Sequence, residues 1–113
     1  RKRKEMANTF KSVTSGSIGT TVVPVYTCPS STTTIVLGAS IANIASSPIA
    51  GTIKLNKNGG DTVHVVKQAP VPNGSSIEVM AGNKVVLEAS DKLEFQSDTA
   101  DSVDTIISLL EIT

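Results

Sequence analysis

Short segments of alternating apolar and polar residues follow one another along the whole chain, separated by turn residues roughly every ten positions. Residues 49–56 and 92–96 alternate most regularly, and residues 103–112 form the last such segment. Successive side chains of an extended strand point to opposite faces, so this period predicts strands with one buried and one solvated face. About eight such strands joined by local turns predict an all-β fold, a single-domain antiparallel β-sandwich or jelly-roll.

The core of this fold has to be filled with aliphatic side chains. Only two Phe, one Tyr and no Trp occur among the 113 residues, and the β-branched Ile and Val suit a pleated sheet. A chain of this length forms one domain that buries about two thirds of its unfolded surface. We therefore predict a basic amino-terminal arm at residues 1–6 and one β-sandwich domain over residues 7–113.

Local signals predict details of the sandwich. Asn58-Gly59 is typical of a tight hairpin between two strands. Gly38 lies in the middle of the longest β pattern and predicts a β-bulge or a close neighbouring backbone. Pro24 has no N–H to donate, so its strand should lie at the edge of a sheet or break there. At the amino end, we predict a short strand at residues 10–13 and a flexible Ser/Gly-rich link at residues 14–19.

The positive charges are concentrated at the amino end. Four of the ten basic residues are Arg1, Lys2, Arg3 and Lys4, which leaves six lysines against nine acidic residues from Met6 onward, a formal charge of −3. We predict that these four side chains bind an acidic partner, with a solvated tail as the alternative. A translation start at Met6 is also open, because Arg-Lys-Arg-Lys-Glu can be written in purine codons, like a bacterial ribosome-binding site. The body lacks Arg, which disfavours nucleic-acid binding.

Reactive groups are few. Cys28 and His64 are each the only residue of their type, so no intrachain disulfide can form and no His-based metal site is indicated. A Cys–His catalytic pair would lack a third orienting group. Asp98 and Asp101 could offer weak calcium ligands, although acids at turns are normally solvated. We predict no enzyme activity, no cofactor and no metal, and the lack of an apolar run of about 18 residues predicts no membrane span.

Two segments, residues 33–45 and 103–112, are apolar on both faces. A strand in a two-layer sandwich needs only one apolar face, so a second apolar face predicts a second cover. We predict that this cover is another subunit of a symmetric oligomer; a strand end covered by a loop is the alternative. The packing candidates are Val36, Ile44, Ile107 and Leu109.

Six segments, in this order along the chain, carry a resemblance to a known class of proteins. They are Ala-Asn-Thr-Phe-Lys (7–11), Val-Tyr-Thr-Cys-Pro (25–29), Thr-Thr-Ile-Val-Leu-Gly-Ala-Ser-Ile-Ala-Asn (33–43), Pro-Val-Pro-Asn-Gly-Ser-Ser-Ile-Glu-Val (70–79), Lys-Val-Val-Leu-Glu-Ala-Ser-Asp-Lys-Leu (84–93) and Ser-Leu-Leu-Glu-Ile-Thr (108–113). Over most of residues 7–113 this order resembles small virion structural proteins of tailed bacteriophages. Ser90 departs from the usual Leu-Glu-Ala-Gly-Asp-x-Leu, which affects the turn there and not the fold.

The resemblance implies a non-enzymatic part of a virion. Such proteins decorate or cement the exterior of a capsid in many copies, or they build neck, tail and baseplate parts. It implies other virion proteins as partners, either the major capsid protein or neck and tail proteins, and it favours a homotrimer. A carbohydrate-binding module on a fibre is a further alternative; such modules stack sugars on exposed aromatic rings, and Tyr26 is the candidate for that role.

Overall fold

The structure is a computed structural model that describes residues 8–79 and 84–113. None of these residues is helical, so the predicted all-β class is confirmed, and no helix that could cross a membrane is found among them. The strands of this part of the chain are β1 (Asn8–Ile18), β2 (Val23–Thr27), β3 (Thr33–Asn43), β4 (Ile49–Asn56), β5 (Thr62–Val71), β6 (Ser76–Glu78), β7 (Val85–Leu87), β8 (Lys92–Ser97) and β9 (Val103–Ile112).

The strands form two antiparallel sheets. The first sheet has the order β1-β9-β3-β6, with β7 also paired to β3, and the second has the order β2-β8-β4-β5. The first and last strands are neighbours, and the chain passes repeatedly from one sheet to the other, as in a jelly-roll. β6 and β7 pair with different parts of β3, so they act as two pieces of one edge. That division accounts for nine described strands where about eight were predicted.

Aliphatic side chains from the inward faces of both sheets fill the space between them. Phe95 of β8 is the largest fully buried side chain of the described residues, and burying a side chain of this kind contributes about 2–3 kcal/mol. The two sheets approach closely at Gly51 of β4, where an added Cβ would lie 3.0 Å from Ile41 Cδ1 of β3. A larger residue at position 51 would therefore push against the opposite sheet.

β1 is longer than the sequence indicated. It runs without interruption through residues 14–17, and it pairs with β9 from Asn8 opposite Ile112 to Ile18 opposite Val103. The predicted flexible link at residues 14–19 was therefore wrong. Ser and Gly have little strand preference of their own, and pairing with a long neighbouring strand overrides that preference. A register shift near Ser17, whose φ is 54°, accommodates the irregular sequence.

The edge and bulge predictions are confirmed, and the predicted hairpin is present but is not a tight one. Pro24 lies in β2, an edge strand of the second sheet, and the register against β8 shifts between Pro24 and Tyr26. A bulge interrupts the pairing of β3 with β9 between Val36 and Gly38. Residues 58–61 join β4 and β5 as a hairpin, although Gly59, with φ 73°, is the one residue of the four with a positive φ. A type I′ turn needs two such residues, so this hairpin uses a wider connection.

The predicted basic arm at residues 1–6 lies outside the described residues. The boundary at residue 7 and the partner-binding role of Arg1, Lys2, Arg3 and Lys4 therefore stay predictions. Residues 80–83, which separate β6 and β7 in the sequence, also lie outside the described part.

Candidate functional site

The structure corrects the choice of packing residues on the two doubly apolar strands. Val36, Ile107 and Leu109 are fully buried between the two sheets of their own chain. Their burial needs no second subunit, and in the folded chain they have no surface to offer one. Ile44, just beyond the end of β3, is 47 % exposed and can still contact a partner. On β3 and β9 the positions between these buried residues face outward, and they form the outer surface of the first sheet.

That other set forms a row of apolar side chains across the outer face of the first sheet. Phe10 of β1 lies opposite Leu110 of β9, Leu110 lies opposite Ile35 of β3, and Ile35 lies opposite Val86 of β7. Directly opposed residues of antiparallel strands project from the same face. Phe10 is 74 % exposed and Val86 52 %, with the two half-buried residues between them. Four adjacent strands thus present one continuous apolar row to solvent.

Two further exposed residues extend this surface along the strands. Ile106 of β9 is 53 % exposed, and Leu37, at the bulge of β3, is 37 % exposed. Together these residues form a surface that we call the outer apolar face: Phe10, Ile35, Leu37, Val86, Ile106 and Leu110.

The outer face of the second sheet is polar. Glu94 of β8 lies opposite Lys54 of β4, and Lys54 lies opposite His64 of β5. His64 is exposed, on the less apolar side of its strand, as its alternation predicted. Thr52 and Gln96 form the neighbouring pair. The two outward surfaces of the sandwich therefore differ in chemistry, which an isolated two-layer sandwich does not require.

A buried polar cluster ties the two sheets together at one end. The Tyr26 hydroxyl of β2 donates to Glu111 Oε2 of β9 at 2.6 Å and lies 2.8 Å from Thr34 Oγ1 of β3. Lys11 Nζ of β1 is 3.2 Å from Glu111 Oε1. Burial, reinforced by the Glu111 carboxylate, raises the pKa of Tyr26 well above its ordinary value. The hydrogen bond from Tyr26 keeps the pKa of Glu111 below its ordinary value despite burial.

Tyr26 is 7 % exposed, so its ring cannot stack on a sugar. The carbohydrate-binding alternative therefore loses the aromatic residue on which it depended.

Cys28 is buried, and its partners among the described residues are backbone carbonyl groups and a hydroxyl. Its thiol points to the Thr32 carbonyl oxygen at 3.3 Å and lies 3.3 Å from Thr34 Oγ1. His64 is exposed on the outer face of the second sheet, so Cys28 and His64 are not arranged as a catalytic pair. Among residues 8–79 and 84–113 no group of three His, Cys, Asp or Glu side chains is placed to hold a metal ion.

Asp91 fastens the β4–β5 hairpin to the turn between β7 and β8. Its carboxylate accepts hydrogen bonds from the Asn58 and Glu88 backbone N–H groups, each at 2.9 Å, and forms an ion pair with Lys57 Nζ. Burial alone would raise the pKa of Asp91, but the Lys57 ammonium and the two N–H groups together lower it. The sequence indicated solvated acids at these turns; Asp91 is instead a buried structural group.

Two more acidic side chains, those of Asp98 and Asp104, hold the backbone at the end of the sandwich. Asp98 Oδ1 accepts from the Ala50 N–H at 3.0 Å, and Asp104 Oδ1 accepts from the Ser17 N–H at 2.9 Å. Beside them lies an open cleft of about 350 Å³, lined mainly by small residues of the 16–23 segment, in which Asp101 is the one carboxylate among the described lining residues. A single carboxylate provides neither a general acid–base pair nor a nucleophile with its base.

The chain's fold is similar to that of two assembly-forming proteins of known structure. A chain of the Bacillus endospore appendages, a family of disulfide-linked pili, matches with a TM-score of 0.59 and 14 % identity over 99 % of this chain and 91 % of that one. A chain of the acid-stable capsid of Helicobacter pylori bacteriophage KHP30 matches with a TM-score of 0.54 and 10 % identity over 96 % and 94 % of the two chains.

A chain of infectious bursal disease virus, strain Gt, matches more weakly, with a TM-score of 0.47 and 12 % identity over 96 % of this chain and 32 % of that one. No protein-family model and no curated sequence matches the chain. At these identities the first two similarities establish a shared sandwich fold.

Proposed function

We propose that the chain is a non-enzymatic structural protein of a tailed-phage virion, an oligomeric decoration or cement protein on the exterior of the capsid. The observation that carries this proposal is the outer apolar face. The largest contiguous apolar patch on a soluble protein, commonly several hundred Å², is often an interaction surface. The buried polar side chains are used to hold the fold, since every buried side-chain N or O atom of the described residues has a hydrogen-bond partner.

The comparisons support the same kind of role. The sandwich is shared with a pilus subunit and with a phage capsid chain, and both of those proteins work by contact with copies or neighbours. The partners that we propose are other virion proteins, first of all the major capsid protein, and further copies of this chain. The basic residues Arg1, Lys2, Arg3 and Lys4 would add charge-assisted contacts to an acidic neighbour, each worth on the order of 1 kcal/mol where partly buried. The homotrimer implied by the resemblance stays a prediction.

A neck, tail or baseplate component is the second candidate, and the likeness to a chain of disulfide-linked pili supports it. The two candidates differ in copy number. A shell-covering protein occurs in hundreds of copies per particle, whereas a neck or tail part occurs in a few to a few dozen, in multiples of three or six.

Gel densitometry of purified particles tests the proposal. The intensity of the 11.7 kDa band, relative to that of the major capsid protein, gives the copy number. Hundreds of copies, together with lower head stability in particles that lack the protein, are expected. A few dozen copies would favour the neck or tail candidate, and a chain that is made in infected cells but is missing from particles would contradict both.

A further inference from the structure

We propose that the outer apolar face is the contact surface for a second copy of the same chain, packed sheet against sheet around a two-fold axis that runs parallel to the strands. This inference rests on the proposed structural role, and it identifies the surface through which two copies of the chain associate. It uses the surface residues of β1, β9, β3 and β7, not the core residues that the sequence indicated.

The size of the face fits a stable pair. The exposed fractions of Phe10, Leu37, Val86 and Ile106 leave on the order of 400 Å² of apolar surface, taking about 150–250 Å² for a whole large side chain. The half-buried Ile35 and Leu110 add to this area. A standard interface buries about 800 Å² per partner, with a core that is about two-thirds apolar. The face can therefore supply the apolar core of such an interface, and the surrounding Ser and Thr side chains can supply its rim.

The chemistry of the face favours a partner surface without charges. From the Asn8–Ile112 pair to the Thr14–Ile106 pair, the outward residues of β1, β9 and β3 are all uncharged. A charged partner surface would lose its hydration here without gaining a counter-charge, which is costly. Charged residues lie only at the margins among the described positions of the face. Asp104 and Glu78 accept backbone N–H groups, while Lys84 and Glu88 flank Val86 at the β7 edge, where Glu88 pairs with Lys57. The surface that matches this chemistry is another uncharged apolar sheet, and a second copy provides one.

The row across the face is also self-matching. A two-fold axis between β9 and β3 places Phe10 over the partner's Val86 and Leu110 over the partner's Ile35. The two protruding residues at the ends of the row thus meet each other, and the two half-buried residues meet in the centre. Sheets that pack face to face in this way lie about 10 Å apart, with strands nearly aligned. The arrangement closes after two copies, so it is an alternative to the homotrimer that the resemblance implies. It leaves both polar outer faces free for other virion proteins.

Single substitutions on the face test the pairing in the full 113-residue chain. Ile106→Lys and Val86→Lys change residues that are more than half exposed, so the fold should tolerate them. Wild type at about 100 µM is expected to show twice the 11.7 kDa chain mass by sedimentation equilibrium, and each variant to weaken self-association about 100-fold or more, because it buries an unpaired charge. Thr62→Lys, at an exposed position of β5 on the polar face of the second sheet, is the matched control and should remain paired.

Cross-linking tests the geometry. With strands about 4.8 Å apart and sheets about 10 Å apart, Phe10 and the partner's Val86 lie about 10 Å from each other, whereas the two copies of Phe10 lie about 17 Å apart. A short bis-maleimide should therefore join a mixture of Phe10→Cys and Val86→Cys chains between positions 10 and 86, and should join neither variant efficiently when it is alone. Cys28 is buried and should not react.

Several results would overturn the inference: a monomeric wild type, a trimer, dissociation of the Thr62→Lys control at the same strength as the face variants, or equal cross-linking in the unmixed variants. These failures are distinct from failure of the proposed function. A monomer that is still incorporated into particles would leave the virion role intact and remove the pairing. A dimer that never enters particles would leave the pairing intact and remove the virion role.

Discussion

Asp91 offers a sharp test of how the loops of this sandwich are held. In Asp91→Asn the side-chain shape is kept, but the amide has one acceptor oxygen where the carboxylate has two, and its NH₂ group faces backbone N–H donors. The wild-type carboxylate is 2 % exposed and accepts from Asn58 N and Glu88 N at 2.9 Å each. Leaving a buried donor unsatisfied costs about 1–3 kcal/mol. We expect the free energy of unfolding to fall by about 2–4 kcal/mol and Tm by about 8–15 °C.

The assay is urea unfolding followed by circular dichroism, with Asp61→Asn as the control. Asp61 lies in the same hairpin and carries the same charge, but it is exposed and no side-chain contact of its carboxylate holds the turn. Asp61→Asn should change the free energy of unfolding by less than about 0.5 kcal/mol. Equal stability of the two variants would refute the account of Asp91 as a buried clamp.

The same pair of proteins predicts a pH dependence. The pKa of Asp91 is lowered in the folded state, so its stabilising contribution is fully present above the ordinary Asp pKa and is lost as the pH falls through the lower, folded value. The stability difference between wild type and Asp91→Asn should therefore be constant at neutral pH and shrink below about pH 4. A difference that grows as the pH falls would show that the carboxylate is destabilising in the fold.

The remaining predictions concern the core and the buried cluster. Tyr26→Phe removes the donor to Glu111 and should lower the free energy of unfolding by about 1–2 kcal/mol in urea unfolding. Unchanged stability would mean that the Tyr26 hydrogen bond does not stabilise the fold. Gly51→Ala places a Cβ 3.0 Å from Ile41 Cδ1 and should cost about 1–3 kcal/mol by overpacking; unchanged stability would mean that the sheets can separate there. Leu109→Asp buries a charge in the core and should yield an unfolded chain by circular dichroism, and a folded monomer would contradict its placement.

Much of the fold could be predicted because its signals are local. Alternation with period two, Pro24 at an edge, Gly38 at a bulge and the Asn58-Gly59 hairpin each depend on a few neighbouring residues, and each has its counterpart in the structure. The extent of β1 could not be predicted, because residues 14–17 become a strand only through pairing with β9, about 90 residues later in the sequence.

The candidate site was harder to predict because period two does not say which face is buried. On β9 both Ile106 and Ile107 are apolar, as are Leu109 and Leu110. The buried set even contains Thr105 and Glu111, which in the sequence look like surface residues. Their burial becomes possible because Thr105 donates to the Ser40 carbonyl oxygen and Glu111 accepts from Tyr26. Such long-range partners leave no mark in the local pattern.

The central claim is that the outer apolar face is covered when the protein is at work. Hydroxyl-radical footprinting, read by mass spectrometry, tests it directly, since Phe10 is 74 % exposed in the single chain and aromatic rings oxidise readily. In purified particles we predict strong protection of Phe10 and Ile106 relative to a monomeric Ile106→Lys or Val86→Lys chain, each residue being compared with the variant that retains it. Oxidation of His64 reports separately on whether another virion protein covers the polar face of the second sheet. Oxidation of Phe10 at the same rate in particles and in the monomer would contradict the claim.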